Sequence, residues 1–574
     1  MQYNRFSAFA AGLFLLLSGF RGPGKPPART AYADIIYIGG RILTIDSANS
    51  LAEALAVKDG RIEAIGQAAV VRKLKGPATR VIDLRGKTLL PGFIDGHSHI
   101  MEFDPGAYVN LGSPPMGPIK DIPGIVAALR QFKEVHHIKP GEWINGYGYD
   151  QDQLAEKRHP QKEDLDAAFP DNPVGITNIN GHMLVVNSFA LRISGIDSST
   201  ANPPGGFIVR KPGTREPTGL LQEHASYLLK IAPVKEKTLP ERLAGLKQKE
   251  EYYASFGVTT AQDGYSSLAS VDLLEKAADS NLLIIDIDAL PGYPILDKLL
   301  ANPYYSFNTY KNHLKLAGFK LISDGSPQGR TAFFTEPYTT QLPGDTAGYR
   351  GFPNFTQLQL NEAVIKGFRN HVQVYVHCNG DAAIDRYIRA VENADSVLGT
   401  SSLDRRPVVI HAQFTRPDQL DKYKELGFLP SFFTNHTFFW GDVHIRNLGK
   451  DRAFFSSPVK AALDKQIVFT NHSDFPVTPI NPLFILWSSV NRESRSGVTI
   501  GPGQRLTPQE GLRALTINGA YEYFEEKSKG SLEKGKLADL VILSDDPTTT
   551  DPEKIKDIKV LETIKEGKTV YKRS

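Results

Sequence analysis

Residues 92–99 read GFIDGHSH, a short apolar run that closes on His97 and His99. Side chains alternate between the two faces of a β-strand, so two histidines separated by one residue point to the same side. The end of one strand can therefore offer two imidazole ligands to a metal ion. Alone, such a pair is as typical of two hydrogen-bonded polar histidines as of a metal site.

Four further ionisable residues end or follow apolar runs downstream of this pair. They are Lys320 in GFKLISDG, His377 in YVHCNGD, His411 in VVIHAQ and Asp474 in NHSDFPV. A charged or imidazole side chain is costly to bury unless it is paired or bound to metal. Because the strand ends of a barrel surround one axis, we expect these residues to meet the histidine pair in one metal site.

Eight short runs rich in Val, Ile and Phe alternate with helical patterns, as in βαβ units with a parallel sheet. They are GFIDGH (92–97), VTTAQ (258–262), LLIIDID (282–288), LKLAGFKLI (314–322), VQVYVH (372–377), PVVIHA (407–412), FLPSFF (428–433) and IVFTNH (467–472). This pattern predicts the α/β class, with a (β/α)8 barrel of the TIM type.

The two ends of the chain share a different pattern, in which apolar and polar residues alternate between Gly-rich or Asp-Gly turns. We predict that residues 34–90 and 506–574 form one small β-sandwich, the second segment beginning with a helix. The barrel would span residues 91–505. Within it, the stretch at about 100–257 is too long for an ordinary barrel loop and predicts an insertion that walls the active site.

Residues 1–33 have the pattern of a secretory signal peptide. A basic residue precedes the apolar run Phe6–Phe20, which is shorter than the roughly 20 residues needed to span a bilayer. Ala31 and Ala33 offer a small-residue cleavage site, while earlier cleavage and an uncleaved anchor stay open. We therefore predict export, to the periplasm or the medium.

The composition is that of an ordinary globular protein, with 574 residues, 41% apolar and 22% charged, and a net charge of +3. No Lys/Arg block is long enough to follow a phosphate backbone, so we expect no nucleic-acid partner. Cys378 is the only cysteine, which excludes an internal disulfide and lipidation of an N-terminal cysteine.

Taken in order, these motifs resemble the amidohydrolase superfamily, and within it the exported branch typified by N-substituted formamide deformylase (amidohydrolase family 3). PGFIDGHSH resembles the first-strand metal motif, FKLISDGSPQGRTAFF the stretch with a carbamylated lysine, HCNGDAAID and VIHAQ the histidine motifs, and HSDFPV the aspartate motif. The resemblance covers nearly everything after Ala33. It implies a hydrolase that cleaves a carbon–nitrogen bond of an amide, formamide or related N-acyl compound.

The resemblance also implies a centre of two divalent metals, with zinc expected and iron or manganese open. Its ligands would be His97, His99, Lys320, His377, His411 and Asp474. A free Lys320 ammonium would repel both cations, whereas a carbamate formed with carbon dioxide would bridge them. The metal charge would then exceed that of the carbamate, Asp474 and a bridging hydroxide. The competing interpretations of Lys320 are a surface lysine and an ion pair with Asp324.

Two residues are expected to act on the substrate directly. Asp474 should take the proton of the attacking hydroxide and pass it to the leaving group, as general base and then acid. His182, in ITNINGHMLVVNS, has a counterpart in the resembling family at the pocket edge, where it could polarise a carbonyl. A purely structural histidine of the insertion is an equal alternative.

Tyr147, Arg330 and Trp440 are weaker candidates for substrate binding. A surface role is the default for the first two, and the aromatic segment that contains Trp440 is as typical of a core as of a pocket. If part of that segment faces the barrel mouth, it favours a small-molecule substrate with an apolar or aromatic group. His436 and His472 match no ligand position, so we leave them out of the metal shell. A homodimer remains open.

Two alternatives compete with the two-metal hydrolase. A mononuclear deaminase of the same superfamily would have no use for Lys320 as a bridge, and bound-metal stoichiometry would separate the two. A catalytically silent exported binding or regulatory protein would keep a costly charged cluster without chemistry. Turnover of any amide, formamide or ester by metal-loaded protein would exclude it.

Overall fold

The computed structural model describes residues 32–102, 108–114, 116–230, 237–340 and 347–574. The predicted signal peptide lies almost entirely outside these residues. Within the described part of the chain, no helix is both long and apolar enough to cross a membrane.

Both ends of the chain form a single eight-stranded sheet. Its strands are Ile35–Leu43, Leu51–Lys58, Arg61–Gly66, Arg80–Asp83, Thr88–Pro91, Leu540–Leu543, Val560–Lys565 and Lys568–Lys572. The two ends meet where Thr88–Pro91 runs antiparallel to Leu540–Leu543, with Pro91 opposite Leu540. This sheet supports a second small domain built from both ends, although the strands form one hydrogen-bonded sheet where we predicted a β-sandwich.

The eight predicted core strands all occur in the predicted order, and we call them the barrel strands. They are Phe93–Ile94, Val258–Ser266, Asp286–Pro291, Leu314–Leu316 with Phe319–Ile322, Val374–Cys378, Val408–His411, Leu429–Phe432 and Thr470–Asn471. Consecutive strands pair in parallel, in a four-stranded and a five-stranded sheet. The fourth strand is divided at Gly318, where a Cβ atom would lie 2.6 Å from the Gln373 carbonyl oxygen.

Two contacts join these sheets at their outer edges. A parallel bridge links Gly292 to Lys320, between the third and fourth strands. Between the first and eighth strands, the Asp474 N–H donates to the His97 carbonyl oxygen over 2.9 Å. The backbones approach so closely there that a Cβ at Gly96 would lie 2.8 Å from Thr470 Oγ1.

Amphipathic helices connect and surround the barrel strands. They are Leu239–Ala254, Leu268–Asp279, Leu296–Leu300, Gln357–Arg369, Asp381–Leu398, Pro417–Leu426, Asn435–Leu448, Lys450–Phe454, Val459–Asp464, Pro482–Asn491, Pro508–Ala514 and Ile517–Glu522. Several begin at a side-chain cap, as at Thr356, whose hydroxyl accepts from the N–H of Gln359. Their apolar faces and the strands make up two large buried clusters.

The stretch between the first and second barrel strands carries its own six-stranded sheet. Its strands are Val109–Asn110, Ile144–Tyr149, Val174–Asn178, Met183–Val186, Gly206–Arg210 and Pro217–Glu223, with helices Ile122–Val135, Lys162–Asp166 and Ser188–Ser194. A separate apolar cluster fills the space between this sheet and its helices. This layer places His182 and Glu223 beside the barrel.

Candidate metal centre

The first group of predicted ligands comes from the first and eighth barrel strands. His97 Nε2 lies 3.4 Å and His99 Nε2 3.3 Å from Asp474 Oδ1. One ligand atom from each of the three residues lies within 4.8 Å of the others. Because the Asp474 N–H also donates to the His97 carbonyl, the backbone holds this carboxylate against the histidine pair.

The second group comes from the ends of the fifth and sixth strands. Pairing in register puts Cys378 opposite His411, so His377 and His411 are neighbours. His377 Nδ1 lies 3.1 Å from His411 Nε2. The ring centroids of His97 and His411 are 5.4 Å apart, which brings both groups into one cluster.

Lys320 lies between the two groups and is buried. Its Nζ is 2.9 Å from His97 Nε2. Burial lowers the pKa of Lys320 to about 7. Asp324 is committed elsewhere, because its carboxylate accepts from the N–H groups of Asn379, Gly380 and Phe333. Lys320 is therefore neither a surface lysine nor the ion-pair partner of Asp324.

The donor set fits divalent metal ions. Burial lowers the pKa of His97, His377 and His411, so their imidazoles are neutral and carry the lone pair that a metal needs. Burial acts the same way on His99, but the carboxylates of Glu102 and Asp474 outweigh it and raise its pKa to about 10. Those carboxylates favour a cation where His99 and Asp474 meet, and a metal can replace the proton there.

The sequence profile of the amidohydrolase family matches residues 80–571, which is most of the chain. The chain belongs to the amidohydrolase family. Membership and the cluster of His97, His99 and Asp474 together indicate a metal-dependent hydrolase.

Relatives of this amidohydrolase cover almost its whole length. It is similar to N-substituted formamide deformylase of Arthrobacter pascens, with 27% identity over 95% of this chain and 99% of the relative. The protein LONG AFTER FAR-RED 3 of Arabidopsis thaliana is 31% identical over 95% of this chain and 93% of its own. Among solved structures, a metal-dependent hydrolase from Pyrococcus furiosus superimposes with a TM-score of 0.68 at 25% identity, covering 90% of this chain and 100% of that one.

His182 lies beside the metal cluster, with its ring centroid 5.4 Å from that of His377. His182 Nδ1 lies 3.0 Å from Glu223 Oε2, and this carboxylate was not foreseen from the sequence. Burial lowers the pKa of His182, but Glu223 outweighs it and raises the pKa. Glu223 has φ 50 and ψ −130, a strained conformation for a residue with a side chain.

Further buried groups contact the histidines that are predicted metal ligands. Gln262 Oε1 lies 2.5 Å from His97 Nδ1. His472 Nε2 lies 3.1 Å from His411 Nδ1, and its other ring nitrogen lies 2.9 Å from Ser431 Oγ. The His472 ring also packs edge-on against that of His97, with 5.3 Å between their centroids. Contacts of this kind fix the tautomer and ring orientation of metal-bound histidines.

Two cavities are lined in part by residues of the insertion. The inner pocket, of about 20 Å³, is lined by His182, His377, His411, Asp474 and His436, among others. The outer chamber, of about 720 Å³, lies between the insertion and the loops that follow the fourth and seventh strands. Gln328 lines both cavities. The two cavities are therefore neighbours, and the one lined by predicted metal ligands is much the smaller.

The three predicted substrate-binding residues occupy different positions. Arg330 lines the outer chamber, where its Nη1 donates to Thr340 Oγ1 over 3.2 Å. Tyr147 donates its hydroxyl proton to the Ile179 carbonyl oxygen over 3.0 Å. Trp440 is buried, and its indole N–H donates to Asp150 Oδ2 over 2.9 Å.

The placement of Trp440 corrects the expectation that it lies against the substrate. The Trp440 ring packs on the His436 ring, with 4.3 Å between their centroids. His436 lines the inner pocket, whereas Trp440 does not. The aromatic segment is mainly core, because Trp440 packs with Phe439, Ile179 and Val443. Trp440 therefore supports the pocket wall from behind.

Proposed function

We propose that this protein hydrolyses the carbon–nitrogen bond of an amide, formamide or related N-acyl compound, using two divalent metals at the barrel mouth. The observation that carries the proposal is the convergence of all six predicted ligand residues in one buried cluster. Divalent metals held there would supply positive charge that polarises a carbonyl group and makes water a better nucleophile near neutral pH. The remaining steps belong to residues of the chain.

Lys320 is suited to become a carbamate. Carbon dioxide reacts with a neutral amine, and the pKa of about 7 leaves a large neutral fraction of this lysine at neutral pH. A bond forms between Nζ and the carbon of carbon dioxide, and one proton is released. The product carries a negative charge and two oxygens, which would add a second anionic ligand to a histidine-rich cluster whose one predicted carboxylate ligand is Asp474.

Asp474 is positioned to move the proton of the attacking water. Its Oδ1 lies between the Nε2 atoms of His97 and His99, and the backbone bond to His97 fixes its place. It also lines the inner pocket, so the same carboxyl group can reach the nitrogen that leaves. We propose that Asp474 accepts the proton from water and gives it to that nitrogen.

His182 is positioned to hold the carbonyl oxygen of the substrate. A carboxylate only accepts hydrogen bonds, so the Nδ1 that faces Glu223 must carry a proton. Because Glu223 raises the pKa of His182, the imidazolium form, with a second proton on Nε2, is also favoured. Such a donor at the pocket wall stabilises the negative charge that develops on the oxygen.

The two cavities favour a substrate with unequal ends. The inner pocket, of about 20 Å³, offers room for little more than one water-sized group. The outer chamber of about 720 Å³ matches the size of drug-like ligands. We therefore propose a formyl or similarly small acyl group at the reaction end and a larger, partly apolar amine portion in the chamber.

A hydrolysis series tests this function. N-Benzylformamide, N-benzylacetamide and N-benzylbenzamide would be offered to metal-loaded protein, with metal content measured on the same sample. We expect turnover to fall as the acyl group grows, with the formamide fastest. Absence of turnover on all three with two metals bound would contradict the proposed reaction, and faster hydrolysis of the benzamide would contradict the small acyl pocket.

We also propose that the protein is exported, on the pattern of residues 1–33. N-terminal sequencing of protein from fractionated cells tests this. We expect a mature chain that starts near residue 34 in the exported fraction. A full-length chain in the cytosol would contradict export.

A further inference from the structure

The outer chamber has a charge character that the hydrolytic reaction does not require. Its cationic lining residues are Lys157, Arg158, Arg210, Arg330 and Arg446. Among the described lining residues, only Asp152 carries a carboxylate. The chamber wall is therefore strongly positive.

Two of the cations are neutralised by neighbouring carboxylates. Arg158 forms a bidentate ion pair with Asp164, in which Nη1 donates to Oδ2 over 2.7 Å and Nη2 to Oδ1 over 2.9 Å. Arg446 donates to the Asp152 carboxylate. These pairs shape the wall but leave little charge for a ligand.

Lys157 and Arg210 donate hydrogen bonds to backbone carbonyl groups instead of carboxylates. Lys157 Nζ donates to the Asp152 backbone carbonyl over 2.7 Å, and Arg210 Nη2 donates to the Thr200 carbonyl over 2.5 Å. Arg210 also donates to the carbonyl oxygen of Arg215. Within the described parts of the chain, neither cation has a carboxylate at ion-pair distance. A carbonyl orients a cation without cancelling its charge, so both keep a full positive charge at the chamber.

We propose that the amine portion of the substrate carries a carboxylate, which Arg210 binds with help from Lys157. The guanidinium is held by two carbonyls in a fixed orientation, as planar recognition of a carboxylate requires. Apolar residues of the same chamber, including Phe207, Val209 and Leu220, accommodate the carbon skeleton between the carboxylate and the reacting nitrogen. The inference rests on the proposed function only for the direction in which the substrate lies.

Binding of two matched amines tests the inference without turnover. The probes are 4-(aminomethyl)benzoate and 4-(aminomethyl)benzamide, which differ only in the anionic group, measured by calorimetry on metal-loaded protein. We expect the benzoate to bind about tenfold more tightly than the amide. Its advantage should shrink at high ionic strength, since the chamber is open to solvent. Equal affinities would overturn the proposal.

Three variants locate the effect. Arg210→Gln and Lys157→Gln should each weaken benzoate binding by about fivefold and leave the amide unchanged. Lys157 is exposed, so its variant keeps the test valid if Arg210→Gln fails to fold. Lys424→Gln, an exposed cation of the helix Pro417–Leu426, is the control and should change neither affinity. An equal loss in the control would show general surface attraction and overturn the proposal.

The outcome is distinct from that of the amide series. Turnover of uncharged formamides with equal binding of both probes would overturn the carboxylate site and leave the hydrolase intact. Preference for the benzoate without turnover of any amide would support the carboxylate site and contradict the proposed reaction.

Discussion

Two clusters of buried ionisable side chains lie at opposite ends of the barrel strands, and each offsets the cost of buried charge differently. At the carboxyl ends, histidines gather around Lys320 and Asp474, and burial lowers the pKa of His97, His377 and His411. At the amino ends, seven buried residues form an ion-pair network that joins the barrel to the terminal sheet. They are Asp286, Asp288, Lys315, Glu525, Lys529, Asp539 and Lys565.

The comparison shows that distance alone does not identify a metal site. Asp286, His313 and Glu566 satisfy the same ligand distances as the metal cluster. However, Lys529 Nζ lies 2.5 Å and Lys565 Nζ 2.9 Å from Asp286 Oδ2. These ammonium groups already supply the cation that the carboxylate needs. In the carboxyl-end cluster, by contrast, no lysine among the described residues lies at ion-pair distance from Asp474. The charge around the carboxylate therefore separates the candidate metal site from the structural network.

The largest expected effect lies in the amino-end network. Lys529→Met leaves Asp286 and Glu525 with less compensation in the interior, which costs about 3–5 kcal/mol of unfolding free energy. Urea unfolding measures this loss, and metal content should stay unchanged. Lys527→Met, at an exposed position two residues away, is the matched control. Loss of metal in the Lys529 variant would contradict a purely structural role of the amino-end network.

At the carboxyl end, Asp474→Asn should preserve folding and reduce kcat by at least about 100-fold, because the amide cannot accept the proton from water. The readout is steady-state turnover of the best amide from the substrate series, alongside urea unfolding. A rate within a few-fold of the wild type would show that another group moves the proton.

A smaller loss is expected for Lys320→Ala, since two histidine groups remain to hold metal. Metal content should fall from about two towards one per chain, with a rate loss of about 10- to 100-fold. A short carboxylic acid should restore part of the rate, because its two oxygens can replace those of the carbamate. Lys320→Arg should not respond, because its guanidinium stays cationic and fills the space. Two metals and an unaltered rate in the alanine variant would refute the bridging role.

A further effect depends on pH and concerns Glu250, a buried carboxyl group with no lysine at hydrogen-bond distance among the described contacts. Its Oε1 accepts from the N–H groups of Ile284 and Ile285, and burial raises its pKa to about 8. Between about pH 5 and 8, the folded protein keeps a proton that the unfolded chain loses, so stability falls as pH rises.

Glu250→Gln keeps the oxygen acceptor and removes this titration. The melting temperature of the variant minus that of the wild type should therefore increase as pH rises from 5 to 8. Glu251→Gln, at the exposed neighbouring position, should follow the wild type. A constant difference across this range would contradict protonation of Glu250 in the folded state.

That the candidate ligands converge could be predicted because each lies in or closely follows an apolar strand, so local sequence carries the information. Glu223 could not be predicted in this way. It stands 41 residues from His182, and their contact depends on strand Met183–Val186 pairing with Pro217–Glu223. The position of Trp440 could not be predicted from the sequence either, because an aromatic segment has the same composition whether it lines a pocket or fills a core.

The terminal sheet can form in full only after the C-terminal strands have been synthesised. Strand Thr88–Pro91 finds its antiparallel partner only in Leu540–Leu543, so one edge of the first-formed strands stays open until nearly the whole chain has left the ribosome. An open edge is a surface for proteases, chaperones and aggregation. A prematurely terminated chain would retain this edge permanently, and the sheet thereby distinguishes finished molecules from fragments.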